Sequence, residues 1–96
     1  MPMHALALRG MGLVYLARGE PALALPSLEQ ALAILQTLGV EGDAAGDMDA
    51  VLVATARETA TVMAALGRPR MQAQALEALA LRVEARLAAA TAGPTP

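Results

Sequence analysis

The sequence predicts an all-α fold built from two antiparallel helical hairpins, on three observations. The chain of 96 residues is 56% hydrophobic and contains 24 Ala and 16 Leu, both strong helix formers. Clusters of glycine and proline divide it into four stretches with helical periodicity. Two of the three connections are only about two residues long, and connections that short place successive helices antiparallel.

Proline and glycine mark the ends of the four predicted helices. The breaks lie at residues 19–21, 39–46 and 67–69. Proline is favoured at the first helical position, where its missing N–H costs nothing and its fixed φ suits the helix. We therefore expect Pro2, Pro21 and Pro69 at the starts of the first, second and fourth helices.

The third helix has no proline at its start, and acidic residues follow the break instead. Asp47 is expected to cap the free N–H groups of the first turn, and Asp49 to add charge that favours this end of the helix dipole. Pro26 departs from regular helix chemistry, because it removes one hydrogen bond near the start of the second helix. A kink or a late start is expected there.

Apolar residues recur every three or four positions, which indicates a buried stripe on each helix. In the second helix the stripe contains Leu28, Ala31, Leu32, Leu35 and Leu38. In the third it contains Leu52, Ala56, Thr59, Met63 and Leu66, and in the fourth Leu76, Leu79, Val83 and Leu87. The six methionines are expected mainly to fill the core. On the fourth helix, Leu81 with Ala78 and Ala85 is a candidate surface for a partner.

The first hairpin combines small residues with larger apolar ones at helical spacing. Gly12, Ala24 and Ala31 would let its two helices approach closely. The space around these three would be filled by Leu8, Met11, Tyr15 and Leu28. This arrangement resembles a tetratricopeptide repeat, whose pattern is W-x2-L-G-x2-Y, then A-x3-F, then P. The matching positions are Leu8 for Trp, Met11 for Leu, Gly12, Tyr15, Ala24, Leu28 for Phe, and Ala31.

The second hairpin resembles the family more loosely. Aligning Gly67 on Gly19 gives an offset of 48, which places Ala60 on Gly12. Gln72, however, falls where the family has a small residue. The offset exceeds the family period of about 34 residues, so the repeat is lengthened and degenerate. Such lengthened repeats are similar to those of bacterial regulatory tetratricopeptide proteins, and the use of Arg and Ala without Lys or Asn suggests a GC-rich bacterial genome.

The resemblance implies a short α-solenoid fragment in one domain over residues 1–91. Within it we expect a clear repeat at 1–38, a loop at 39–47 and a degenerate repeat at 48–91. A disordered tail is expected at 92–96.

The resemblance also implies a concave groove lined by the first helix of each hairpin. Arg9 and Arg57 occupy equivalent positions in those helices, and Leu13 lies beside Arg9 on the first. Two arginines in a groove could hold a carboxylate through bidentate hydrogen bonds, either at a peptide C-terminus or on an acidic side chain. The plainer interpretation is that both are solvated surface charges.

Several chemistries are not supported by the residues present. The chain has no cysteine, and His4 is its single histidine, so no common zinc site is expected. Ser27 is the single serine and has no neighbouring histidine. The acidic residues Glu41, Asp43, Asp47 and Asp49 lack the spacing of a calcium loop. We therefore expect no enzyme, no cofactor and no metal.

Charge and hydropathy limit the partners and the location. The formal charge of −2 gives no basic surface for the phosphates of nucleic acid. Charges, glycine or proline interrupt each apolar run before the roughly 18 residues of a membrane span. The first residues lack the pattern of a secretory signal. These observations favour a cytoplasmic protein with no nucleic-acid or membrane partner.

Two hairpins are fewer than the roughly three repeats that usually bury a continuous core. The sequence therefore predicts a non-catalytic interaction or scaffold module that associates with itself, as a homodimer or higher assembly, or with another protein or peptide. The alternative is a domain of a larger bacterial regulator that senses a peptide or a small anion through Arg9 and Arg57.

Overall fold

The computed structural model describes residues 2–41 and 45–92, which form four α-helices. Their bounds are Pro2–Ala17 for α1, Pro21–Glu41 for α2, Ala45–Ala65 for α3 and Arg70–Ala92 for α4. The predicted all-α fold of helical hairpins is confirmed. Helices that are adjacent in sequence pack on each other, α1 on α2, α2 on α3 and α3 on α4. The molecule measures 49 × 28 × 20 Å.

Two of the three prolines expected at helix starts lie there, and the third precedes its helix by one residue. α1 begins at Pro2 and α2 at Pro21, whereas Pro69 lies one residue before α4. The late start expected at Pro26 is wrong, because α2 continues through that residue as one helix. Pro26 and Ala22 are both exposed. The carbonyl of Ala22, which loses its usual N–H partner, therefore lies on a side of the helix that water can reach.

The loop predicted at residues 39–47 is wrong over most of its length, because α2 extends to Glu41 and α3 begins at Ala45. Asp47 therefore lies inside the first turn of α3 rather than before it. A glycine inside a helix costs only about 1 kcal/mol, which packing and strong helix formers nearby can outweigh. Of the predicted tail, Ala92 is helical and residues 93–96 lie outside the described residues.

The two hairpin turns have the same backbone geometry. α1 is followed by Gly19 with φ of 75°, and α3 by Gly67 with φ of 73°, a conformation that favours glycine. After α1, the N–H of Gly19 donates to Leu16 O at 3.0 Å, and the next N–H donates to Tyr15 O at 2.8 Å. The turn after α3 repeats this pair of hydrogen bonds at an offset of 48 residues. Both are Schellman turns, which reverse the chain tightly.

The core consists of two clusters of buried apolar side chains. The first contains Ala5 from α1, Leu32 and Leu35 from α2, Leu52, Val53 and Ala56 from α3, and Ala80 and Val83 from α4. The second contains Ala24, Leu25 and Leu28 from α2 with Val62 and Met63 from α3. The central helices α2 and α3 thus supply buried residues to both clusters, whereas α1 and α4 supply them to the first alone.

Two threonines on α3 are fully buried without leaving an unpaired hydroxyl. Thr55 Oγ1 donates to Val51 O and Thr59 Oγ1 donates to Thr55 O, each at 2.7 Å. A buried hydroxyl without a partner would be destabilising, and a bond to the carbonyl one turn earlier removes that cost. Thr59 can therefore stand within an apolar stripe.

Candidate functional site

Arg9, which was expected to line a groove and bind a carboxylate, has a carboxylate partner within the chain. Its Nε donates to Glu58 Oε1 at 3.0 Å and its Nη2 donates to Glu58 Oε2 at 2.7 Å. The pair joins α1 to α3, and about a quarter of each side chain is exposed. Leu13, the apolar residue predicted with Arg9, is half-buried.

Arg57 is paired in the same bidentate way, with Glu84 of α4. Its Nη1 donates to Glu84 Oε2 at 2.7 Å, and its Nη2 donates to Oε1. The hydrogen bond with Arg57 lowers the pKa of Glu84, and the same bond raises the pKa of Arg57. Both arginines therefore have a carboxylate partner within the chain, which neither interpretation from the sequence included. The partners are Glu58, one residue from Arg57, and Glu84 on the following helix.

A shallow groove of about 280 Å³ lies between the end of α1, the start of α2 and the outer side of α3. Its lining comprises Leu16, Pro21, Arg57, Glu58, Thr61, Val62 and Ala65. The hydroxyl of Thr61 donates to Arg57 O at 3.0 Å, so its donor is already used. The groove offers mainly apolar contact, and the charged groups at its edge are matched by charges of opposite sign.

A third bidentate ion pair joins α3 to α4 near the start of α3. Arg86 Nε donates to Asp49 Oδ2 at 3.0 Å, and Nη2 donates to Oδ1 at 2.8 Å. Asp49 is only 3% exposed, and its bond raises the pKa of Arg86. Asp49 was expected to act through the helix dipole, and the structure adds this cross-helix contact. Its partner could not be identified from spacing within a single helix.

The residues expected to pack the first hairpin divide into buried and exposed members. Gly12, Ala24, Leu28 and Ala31 are buried. A Cβ atom on Gly12 would lie 2.7 Å from both Cγ and Cδ2 of Leu28, so these helices are in close contact at the glycine. The larger residues Leu8 and Tyr15 are half-buried.

Met11 does not fill the space between α1 and α2 as expected, because it is 49% exposed. It precedes the buried Gly12 by one residue, which turns it about 100° around the helix, away from α2. Met3 and Met71 are also exposed, at 79% and 80%, whereas Met63 lies in the core. The expectation that methionines mainly fill the core is therefore wrong for these three exposed residues.

One side of α1 presents a continuous apolar surface to solvent. This α1 outer face consists of Met3, Leu6, Ala7, Gly10, Met11, Val14 and Ala17. Its large side chains are exposed by 79% for Met3, 42% for Leu6, 49% for Met11 and 55% for Val14. Arg9 is the only Arg, Asp or Glu between residues 2 and 17, and its guanidinium is bonded to Glu58. His4 borders the face in its first turn.

The outer side of α4, which the sequence suggested as a surface for a partner, differs in charge from the α1 outer face. Leu81 is 61% exposed, and Ala78 and Ala85 are also exposed. Arg82 is exposed next to Leu81 and on the same side of the helix as Ala78 and Ala85. A partner with an apolar surface would therefore have to cover a guanidinium in the middle of this side of α4. On α1, the exposed guanidinium next to the face is that of Arg18, which lies just beyond the end of the helix.

The described residues give no positive sign of a metal site, and none of their helices is long and apolar enough to cross a membrane. Ser27 is 9% exposed, and His4 is exposed near the start of α1. Of the acidic residues weighed for calcium, Asp43 and the side chains of Glu41 and Asp47 lie outside the described residues.

No family model matches this chain, and neither does any curated protein or solved structure. The likeness to tetratricopeptide repeats therefore stays a prediction from the sequence pattern.

Proposed function

We propose that this protein is a non-catalytic helical module that associates with itself and docks through the α1 outer face. The observation that supports this most strongly is the run of exposed large apolar side chains along α1, from Met3 to Val14, with no charge among them. Contiguous exposed apolar surface of this kind is typical of protein interaction sites.

The α1 outer face contributes little to the stability of the isolated chain. α1 packs on α2 through its opposite side, where Ala5 and Gly12 are buried. The side chains of Met11 and Val14 stay about half exposed, so each leaves apolar area in water that a partner could cover. Removing such area from water stabilises a complex by about 25 cal/mol per Å² before the costs of association are subtracted.

The alternative function, recognition of an acidic peptide or small anion, receives less support. A ligand carboxylate at Arg9 or Arg57 would have to displace Glu58 or Glu84 from a bidentate pair. The displaced glutamate would then stay beside the incoming anion and repel it. The groove nearby contributes mainly apolar contacts.

The test is light scattering coupled to size-exclusion chromatography over a series of concentrations, on the wild-type chain and two variants. Val14→Glu places a charge in the middle of the α1 outer face. Ala33→Glu adds the same side chain and charge at an exposed position of α2 and serves as the matched control. We expect the wild-type chain and Ala33→Glu to assemble with rising concentration and Val14→Glu to stay monomeric with unchanged helical circular dichroism.

Two outcomes would contradict the proposal. A wild-type chain that stays monomeric at several hundred micromolar would exclude self-association as the function. Assembly that persists unchanged in Val14→Glu would show that the contact lies on a different surface.

A further inference from the structure

We infer that the partner of the α1 outer face is the same face of a second copy, with the two α1 helices antiparallel and crossing at Gly10 and Met11. This inference rests on the proposed function and specifies its geometry. It predicts a closed dimer with twofold symmetry, because each copy presents the same surface to the other.

The absence of charge on the face limits the chemistry of its partner. Any charged group placed against this surface would lose water without gaining an opposite charge, which is unfavourable. The outer side of α4 would bring Arg82 into that position. Stacking α1 of one copy on α4 of another would cover Arg82 in the middle of the contact and is therefore disfavoured. With α1 against α1, the nearest guanidinium is that of Arg18, which lies at each end of the contact, where water can reach it.

The shape of the face is complementary to itself when the helices are antiparallel. Gly10 has no side chain and leaves a hollow in the row of side chains along the face, and a Cβ atom there would enter open space, with nothing within 4 Å. The neighbouring Met11 is a long, flexible and half-exposed side chain that can fill such a hollow. With Gly10 facing Met11 of the second copy, Ala7 faces Val14 of that copy. At these central positions a large side chain meets a small one, as close helix packing requires.

The length of the face sets the expected strength of the contact. A helix of 16 residues is about 24 Å long and about 10 Å wide. Pairing along this length buries on the order of 1,000 Å² in total over both copies, which is near the lower limit for a specific interface. The dimer is therefore expected to be weak.

Cysteine cross-linking tests the orientation directly, because the chain has no cysteine of its own. In the antiparallel dimer, residue 11 lies next to its equivalent in the second copy, whereas the two copies of residue 3 are about 22 Å apart along the helices. We expect Met11→Cys to form a disulfide dimer under mild oxidation, and Met3→Cys to form none. A mixture of Met3→Cys and Arg18→Cys chains should cross-link, because these positions face each other.

A size change at the hollow gives a second measurement that needs no oxidation. Gly10→Leu fills the hollow that receives Met11 of the second copy. It points away from α2, so the chain should keep its helical circular dichroism. We expect the dissociation constant to rise at least tenfold in light scattering. Equal association by Gly10→Leu and the wild-type chain would overturn the inference.

The outcomes separate this inference from the proposed function. Disulfide dimers from both Met3→Cys and Met11→Cys would indicate parallel helices, and would overturn the antiparallel geometry while leaving the α1 outer face as the contact. Assembly without cross-linking at residue 11, but sensitive to Val14→Glu, would also overturn only the geometry. Assembly insensitive to Val14→Glu, or no assembly, would overturn both.

Discussion

The two hairpins have the same type of turn, but different side-chain contacts hold their helices together. In the first, α1 and α2 approach so closely at Gly12 that Leu28 leaves no room for a Cβ atom. In the second, Ala60 stands at the position equivalent to Gly12, and two bidentate ion pairs join α3 to α4. The turn chemistry therefore sets the antiparallel course of the chain, and different side-chain contacts can fill the interface that it creates.

The largest expected effect comes from equivalent leucines in the two hairpins. Leu28 is fully buried, whereas Leu76, its counterpart at the offset of 48, is half-buried. Leu28→Ala should lower the free energy of unfolding by about 3 kcal/mol, because it leaves a cavity in packed surroundings. Leu76→Ala should lower the free energy of unfolding by only about 1 kcal/mol. Urea unfolding followed by circular dichroism at low protein concentration measures both, and equal losses would show that the hairpins depend on apolar packing to the same degree.

An intermediate effect is expected from the glycines of α1. Gly12→Ala forces a methyl group against the buried Leu28, and we expect a net loss of about 1–2 kcal/mol. Gly10→Ala is the matched control, because its methyl group enters open space. It should stabilise the monomer by about 0.5–1 kcal/mol through helix propensity. In a Leu28→Ala background the penalty of Gly12→Ala should disappear, since the opposing atoms are gone, and a persisting penalty would refute the close contact.

The smallest expected effect is the pH dependence of the second hairpin. The folded-state pKa of Glu84 is lowered by its bond with Arg57. The stabilisation is therefore fully present above the ordinary pKa of a glutamate, about 4.3, and is lost as the pH falls through the lower folded value. Glu84→Gln should lower the melting temperature slightly at pH 7 and not at all in strong acid. Salt should reduce the difference, because the pair is exposed.

Glu29→Gln on α2 is the control for that experiment, since it removes one exposed carboxylate from the first hairpin. The melting temperature of this variant should follow that of the wild-type chain across the same pH range. A pH-dependent difference as large as that of Glu84→Gln would mean that net charge, rather than the Arg57 pair, causes the effect.

Much of the fold could be predicted from the sequence, because helix periodicity and turn chemistry are local. Gly19 and Gly67 mark both turns, and Pro2 and Pro21 mark helix starts. The loop at residues 39–47 was predicted wrongly because glycine and acidic residues suggest a break. A glycine inside a helix costs only about 1 kcal/mol and an acidic residue less, and strong helix formers nearby can outweigh this cost.

The candidate site was less predictable, because it depends on contacts between helices. The partners of Arg9 and Arg57 lie 49 and 27 residues away in sequence, and helical spacing does not identify them. For Met11, the family pattern suggested a packing role. Successive residues are about 100° apart around a helix, so with Gly12 facing α2, Met11 could have been placed on the outside.

The distribution of the two core clusters has a consequence for local unfolding. Because α2 and α3 supply buried residues to both clusters, neither helix can separate without exposing most of the core. α1 supplies the single buried residue Ala5 to the first cluster and only the partly buried Tyr15 and Leu16 to the second. The amide protons of α1 should therefore exchange with solvent through openings that leave α2 and α3 folded, so the helix that carries the docking face is also the one most easily detached.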